Sequence, residues 1–344
     1  MSNNMDAIAR DFAAKAGTGE RMISDAGSNV ITGHYLGRDT IFSYGSHFPL
    51  AVLMPSAYEE ARGWWLLNGD SYSVSTSRHQ NVVRNAVQGG LPVMIVSFDA
   101  LVRAGIDKRT ITPVEILPDR YTWEPRTRDN APHDWERDYS SAYRGWRELP
   151  DGRWHYEASV HHLGEALFTA EFEYRDRSLE WTQENGYRAV KGTAFFLSAF
   201  DDNEPGFGLY FLAQLPDGAS PSTVAEAREA MKPNLVKAAD MSGRLVLRQG
   251  DVFALAHPQL QTKDLPGPSE RSAYVLGVNH VATEVRKDSA GATYARGFLR
   301  HRPRESWRAP EHRQVRLGDG KTWFELVRNT VPDGRSWSRQ GNVD

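Results

Sequence analysis

The chain has 344 residues, 40% of them hydrophobic and 25% charged, with a net charge of −3. That is an ordinary globular composition with no global basic field to hold nucleic acid. It contains no cysteine, which excludes disulfides, thiolate nucleophiles and Cys-ligated metal centres and leaves His, Asp and Glu as the only strong metal donors.

Eight of the 41 basic residues are lysine, so 33 are arginine. Arginine forks bind phosphate and carboxylate bidentately and stack on aromatic rings, although a GC-rich genome produces the same bias. No apolar run approaches the ~20 residues that span a bilayer, and the first residues lack a basic and then apolar leader. A soluble, cytoplasmic protein without a membrane partner is expected.

The spacing of Ile8, Phe12 and Ala16 predicts a short amphipathic helix over residues 5–16, ended by Gly17 and Gly19. Residues 30–53 are β-branched, aromatic and punctuated by glycine, which reads as two short strands continued by "GWWLLNG". Ser77 with Gln80 forms a capping-box pattern that opens a helix, closed by Gly89-Gly90. "LPVMIVSF" then reads as a buried strand.

Residues 118–153 are broken by prolines and dense in charge; within them, 134–149 would carry Trp135, Tyr139, Tyr143 and Trp146 on one helical stripe. Residues 186–215 predict two apolar strands joined by an acidic Pro/Gly turn. A helical segment follows, with a second capping box at Thr223 and Glu226 and a break at Pro233. From Arg244 onward the texture is short strands, with "GDG" at 318–320 as a hairpin signal.

The reading is an α+β protein. It comprises a mixed N-terminal domain (1–117), a middle segment with a hairpin and helices (118–243), and an antiparallel, barrel- or sandwich-like C-terminal domain (244–344). No P-loop, GxGxxG, HExxH or GxSxG is present.

Two candidate sites stand out. In "GDSYSVSTSRHQ", a helix opening at Ser77 would place Arg78 and His79 beside free backbone N–H groups. Ser75, Thr76 and Ser77 could then hold an anion, with Arg78 as a clamp and His79 as general acid or base. Asp70 and Tyr72 are close enough to orient that histidine, and His47 in "SYGSHFP" adds a second imidazole. The plain alternative is a capped helix start with a surface histidine.

The second candidate is His280, Glu284 and His301. A hairpin with an even-length loop would put all three on one β face beside small residues, a donor set for a divalent metal. A cupin motif would need HxH, and Ala282 stands where the second histidine would be. A metal-free acid/base pair and a sheet with surface histidines remain open.

The stretches "TIFSYGSHFPLA", "GDSYSVSTSRHQ" and "LRQGDVFALA…NHVATEV…ARGFLRH…PEHR" together resemble uncharacterised proteins carried by bacteriophages and plasmids. The resemblance implies a mobile-element setting, with the host cytoplasm as location, and brings no assigned reaction. The leading expectation is an accessory protein acting on nucleic acid or a nucleotide phosphate, hydrolase-like, through His/Arg chemistry. The alternatives are a non-enzymatic virion or assembly protein and a metal-dependent small-molecule enzyme. No cofactor is implied beyond a possible divalent metal, and a homo-oligomer is compatible.

Overall fold

The computed structural model describes residues 2–23, 29–56, 63–70, 73–127, 143–148, 154–162, 164–175, 189–201, 209–277, 279–302, 314–329, 336–338 and 341–342. The fold is α+β.

The N-terminal sheet runs β1 (Val30–Tyr35), β2 (Arg38–Ser43), β3 (Phe48–Met54), β4 (Trp64–Asn68) and β5 (Val93–Val96), in that order. Residues 30–54 thus form three strands instead of two, because Leu36-Gly37 and Tyr44-Gly45 both enter the left-handed region and turn the chain twice.

The uninterrupted apolar runs of β3, β4 and β5 follow from burial on both faces. On one face Trp65, Leu67 and Ile95 pack with Ile8, Phe12, Val83 and Val87 of helices α1 (Ser2–Lys15) and α2 (Val74–Val87). On the other, Trp64, Leu66, Met94 and Val96 pack against a second sheet. β4 and β5 are parallel, joined by the α2 crossover.

The second sheet contains β6 (Thr112–Leu117), β10 (Glu165–Arg175), β11 (Ala189–Asp201) and β12 (Leu209–Gln214). One core cluster holds Phe168, Phe172, Phe196 and Leu212 together with Trp64 and Met94. The expected boundary at 117/118 therefore falls inside a continuous core, where β6 pairs β10.

Helix α3 (Phe98–Arg103) ends at Gly105 with φ +66, where a Cβ would stand 2.0 Å from the Glu173 carbonyl oxygen. Only glycine permits that approach to β10. Helix α4 (Val224–Ala230), capped by Thr223, covers the outer face of the sheet through Val224 and Ala227. Glu226 donates its N–H to the Thr223 hydroxyl at 3.1 Å, and its carboxylate accepts the Ser222 N–H and hydroxyl. Pro233 separates α4 from α5 (Asn234–Met241).

A smaller sheet has the order β7 (Arg120–Thr127), β9 (Trp154–His162), β8 (Tyr143–Glu148). The helix expected over 134–149 is a strand across 143–148, since the ladder with β9 takes up those backbone groups; 134–142 and 149 lie outside the described residues, as does the 202–208 turn.

The C-terminal sheet is antiparallel. Its path is β13 (Val246–Gln249), β14 (Val252–His257), β19 (Trp323–Arg328), β17 (Thr293–His301), β16 (His280–Lys287) and β15 (Glu270–Val275), with β18 (Val315–Leu317) beside β17. β13 lies against β17 and β18, so the sheet curls, but it is not a closed barrel. The "GDG" turn links β18 to β19 without making them a hairpin: β18 pairs β17, and β19 pairs both β14 and β17. Helix α5 packs Val236 and Ala239 on Phe253 and Leu255.

The chain then returns, and β20 (Ser336–Ser338) pairs β12 of the second sheet, with β21 (Gly341–Asn342) beyond it. Among the described residues no helix is long and apolar enough to cross a membrane.

Candidate functional site

Helix α2 begins four residues earlier than the Ser77–Gln80 pattern predicts. Its N-cap is Ser73, whose Oγ accepts the Thr76 N–H at 3.2 Å and contacts the Ser75 and Thr76 hydroxyls at 3.0 Å. Ser77, Arg78 and His79 therefore sit past the free amides, and the Ser77 N–H is spent on the Ser73 carbonyl. Gln80 closes no capping box; its Nε2 donates to the Asn68 and Asp70 carbonyls at 2.8 and 2.6 Å.

Arg78 and Ser75 are exposed, whereas Thr76 and His79 are buried. His79 Nδ1 lies 2.7 Å from Ser43 Oγ, and the Tyr44 ring stands 5.1 Å from the imidazole. A serine–imidazole pair is the geometry of an activated nucleophile, but Ser43 is 1% exposed and His79 3%, so it is closed to substrate. Burial, and then the adjacent Arg78 charge, push the His79 imidazole below its ordinary value. His47 stands exposed in the β2–β3 turn, and Tyr72 lies outside the described residues.

Asp70 is at the carboxyl ends of the parallel strands β4 and β5, the place where open α/β sheets bind ligands. Here the place is filled. Asp70 accepts the Ser97 hydroxyl and, at 2.9 Å, the Asp99 N–H. Ser97 Oγ in turn accepts the Ala100 N–H at 3.0 Å, and the Ser97 N–H donates to the Tyr210 hydroxyl at 3.1 Å. Asp70 thus anchors the start of α3, a structural carboxylate.

In the C-terminal sheet His280 and His301 are direct cross-strand partners, both buried. Five residues separate Lys287 from Thr293, an odd loop, and a bulge opposite Thr283 restores the pairing. Gly297 occupies that bulge at φ +90, where a Cβ would meet Thr283 Cβ at 2.8 Å. The bulge also changes which side of β16 enters the core, because Ala282 and Val285 both do.

Glu284 consequently leaves the histidines. Arg296 binds it through Nε and Nη2, both at 2.8 Å, and Ser269 donates at 3.0 Å. Burial pushes the Glu284 carboxyl up, but these hydrogen bonds outweigh it and hold it below the usual range. The expected His280–Glu284–His301 metal set is not assembled, and no three His, Asp or Glu side chains converge as one among the described residues. The carboxylate beside His280 is Asp251, 3.7 Å from Nδ1 and held by Arg328 at 2.9 Å.

Two arrangements have open chemistry. The first is the outer face of β15–β17. Tyr274 pairs Val281, which pairs Arg300; Phe298 pairs Arg316; and the Arg300 guanidinium lies 5.7 Å from the Phe298 ring centroid. Paired residues share a face, so two exposed arginines stand among two aromatics, Tyr274 being 44% exposed and Phe298 half-buried. The same side of β17 continues through Arg296, over the Trp323 ring at 4.7 Å, to Tyr294, buried with Leu260 and Leu265.

The second is a cleft of about 510 Å³ lined by Ser242, Arg244, His257, Gln259 and Leu260. His257 Nε2 lies 3.1 Å from Arg244 Nη1 and 3.1 Å from Glu325 Oε2. The Tyr294 ring meets the imidazole edge-on at 5.5 Å. Burial, followed by Glu325 and Asp288, pushes the Tyr294 phenol up, so it remains a neutral hydroxyl.

No protein family, curated protein or solved structure matches the chain. Sequence reading missed both arrangements for different reasons. The stripe had a local signal, the period-2 alternation Tyr294, Arg296, Phe298, Arg300 in "TYARGFLRH", visible once the strand is drawn. The cleft had none, because Arg244, His257 and Glu325 come from separate segments that only the folded sheet brings together.

Proposed function

We propose that the protein binds single-stranded nucleic acid on the outer face of its C-terminal sheet, as an accessory protein of phage or plasmid type in the host cytoplasm. The supporting observation is the Tyr274–Arg300–Phe298–Arg316 group on one β face, exposed except for the half-buried Phe298. Aromatic rings on a strand face stack unpaired bases at about 1–3 kcal/mol each, tolerant of sequence, while arginines track the phosphates. A net charge of −3 leaves attraction to this local patch, so affinity is modest and weakly dependent on salt.

Two phosphate contacts, from Arg300 and Arg316, predict a slope of log K against log salt of about −1.4 for single strands. Fluorescence anisotropy with labelled oligo-dT and the matching RNA tests the proposal. Phe298→Ala should weaken binding roughly 5- to 100-fold, and Arg316→Gln should flatten the salt slope by about 0.7. Wild-type protein that ignores single strands, or an Arg300→Gln/Arg316→Gln variant that binds like wild type, overturns it. Failure to bind combined with a symmetric assembly in sedimentation would favour a virion or assembly role instead.

A further inference from the structure

We infer that the cleft beside β14 is a separate binding site for a small phosphate-type oxyanion, in which Arg244 grips the anion as His257 takes up a proton and turns from Arg244 to Glu325. This stands independently of the nucleic-acid reading, since it uses none of Tyr274, Phe298, Arg300 and Arg316.

Two charged neighbours compete for one atom of His257. An imidazole Nε2 carries either a lone pair or a hydrogen, never both. Here a guanidinium donor and a carboxylate acceptor each lie 3.1 Å from it. With a lone pair, Nε2 accepts from Arg244 and faces the Glu325 oxygen unfavourably. With a hydrogen, it donates to Glu325 and confronts the Arg244 N–H. Either way one charged neighbour, half-buried, is poorly served.

An oxyanion removes the conflict. It takes the planar fork of Arg244, which matches phosphate geometry, and frees His257 to become an imidazolium paired with Glu325. The proton comes from solvent and adds one positive charge to the cleft, whose lining also holds the Asp264 carboxylate.

The surroundings permit this. Ser242 and Gln259 offer polar groups at the rim, and Ala256, Pro258 and Leu260 form an apolar wall. The volume is in the range of small-ligand sites. Of the other charged and titratable groups around His257, Asp264 is turned to the Gln261 N–H at 2.9 Å. Asp288 accepts the Ala290 and Ala292 N–H groups at 2.9 Å. Tyr294 is a neutral phenol. Arg286, beyond Tyr294, donates to the Leu265 and Gly267 carbonyls, and Lys263 is exposed on the turn that follows β14.

Titration calorimetry on the intact chain tests the inference, with sulfate as first probe because its charge is constant between pH 8 and 6. Inorganic phosphate, a nucleoside monophosphate and a 5′-phosphorylated oligonucleotide follow. Sulfate affinity should be higher at pH 6 than at pH 8, by at most about tenfold per pH unit for one coupled proton. Buffers of different ionisation enthalpy should reveal proton uptake on binding.

Arg244→Gln should weaken binding about 10- to 100-fold, and Arg244→Lys, which keeps the charge but loses the fork, should fall between. His257→Gln should still bind but lose the pH dependence and the proton uptake. The histidine ring resonances of the wild type, followed by NMR, report the same protonation without any substitution. Absence of binding at either pH, wild-type affinity in Arg244→Gln, or proton uptake persisting in His257→Gln overturns the inference. Tighter binding of the phosphorylated strand than of the free nucleotide assigns the phosphate to a strand end, and the reverse assigns it to a free nucleotide.

Discussion

His280 and His301 face each other across the β16–β17 ladder with ring centroids 5.2 Å apart at 62°, and the Asp251 carboxylate stands between His280 and Arg328. All three of His280, His301 and Asp251 are nearly inaccessible. The "RQGD" turn between β13 and β14 thus supplies a buried carboxylate that ties a third strand, through Arg328 of β19, to the histidine pair.

Asp251→Ala should therefore destabilise the protein by about 1–3 kcal/mol, the usual cost of removing one member of a buried hydrogen-bonded group. In urea unfolding the midpoint should fall with the slope unchanged. A change below about 0.5 kcal/mol would show that the carboxylate contributes little to the fold.

The Ser43–His79 pair predicts an acid-sensitive fold. The folded-state imidazole is held below its ordinary value, so the unfolded chain binds the proton more readily in the interval between that lowered value and ~6.5. Stability contributed by neutral His79 is complete above pH ~6.5 and is lost as pH falls through that interval. Unfolding free energies at pH 8, 6.5 and 5 should decline on the acid side, and His79→Gln should remove part of the decline. An unchanged pH profile in that variant would contradict the assignment.

Asp70 and Arg78, neighbours in one polar stretch, should behave oppositely. Asp70→Ala strips the acceptor from Ser97 and the Asp99 N–H, with an expected loss of about 1–3 kcal/mol. Arg78→Ala, on the exposed side of α2, should shift stability by less than about 0.5 kcal/mol. Thermal unfolding of the two variants separates them, and equal effects would mean that Arg78 has a structural role that its exposure does not suggest.

Much of the framework was legible beforehand. The apolar runs of β4 and β5, the helical spacing of Val83 and Val87, the Thr223 cap and the break at Pro233 are local properties, and each appears in the structure where the residues place it. The start of α2 was misread because Ser73 and Ser77 both satisfy a cap pattern, and a hydroxyl beside the free amides is all that local chemistry requires. What separates them is Gln80, drawn back to the carbonyls of Asn68 and Asp70 by the β4–α2 connection.

The functional residues divide along the same line. Composition alone established that thiol chemistry is absent and that arginine carries most of the positive charge, whereas the alternation of Tyr294, Arg296, Phe298 and Arg300 became visible only once the strand was drawn. Burial and convergence were beyond its reach. Whether His79 meets solvent, whether Glu284 stays with His280 after a one-residue bulge, and whether Arg244, His257 and Glu325 meet at one nitrogen depend on contacts between distant segments. A single-residue change of phase in a strand moves a side chain to the opposite face. Such a shift is invisible in residue spacing and decisive in three dimensions.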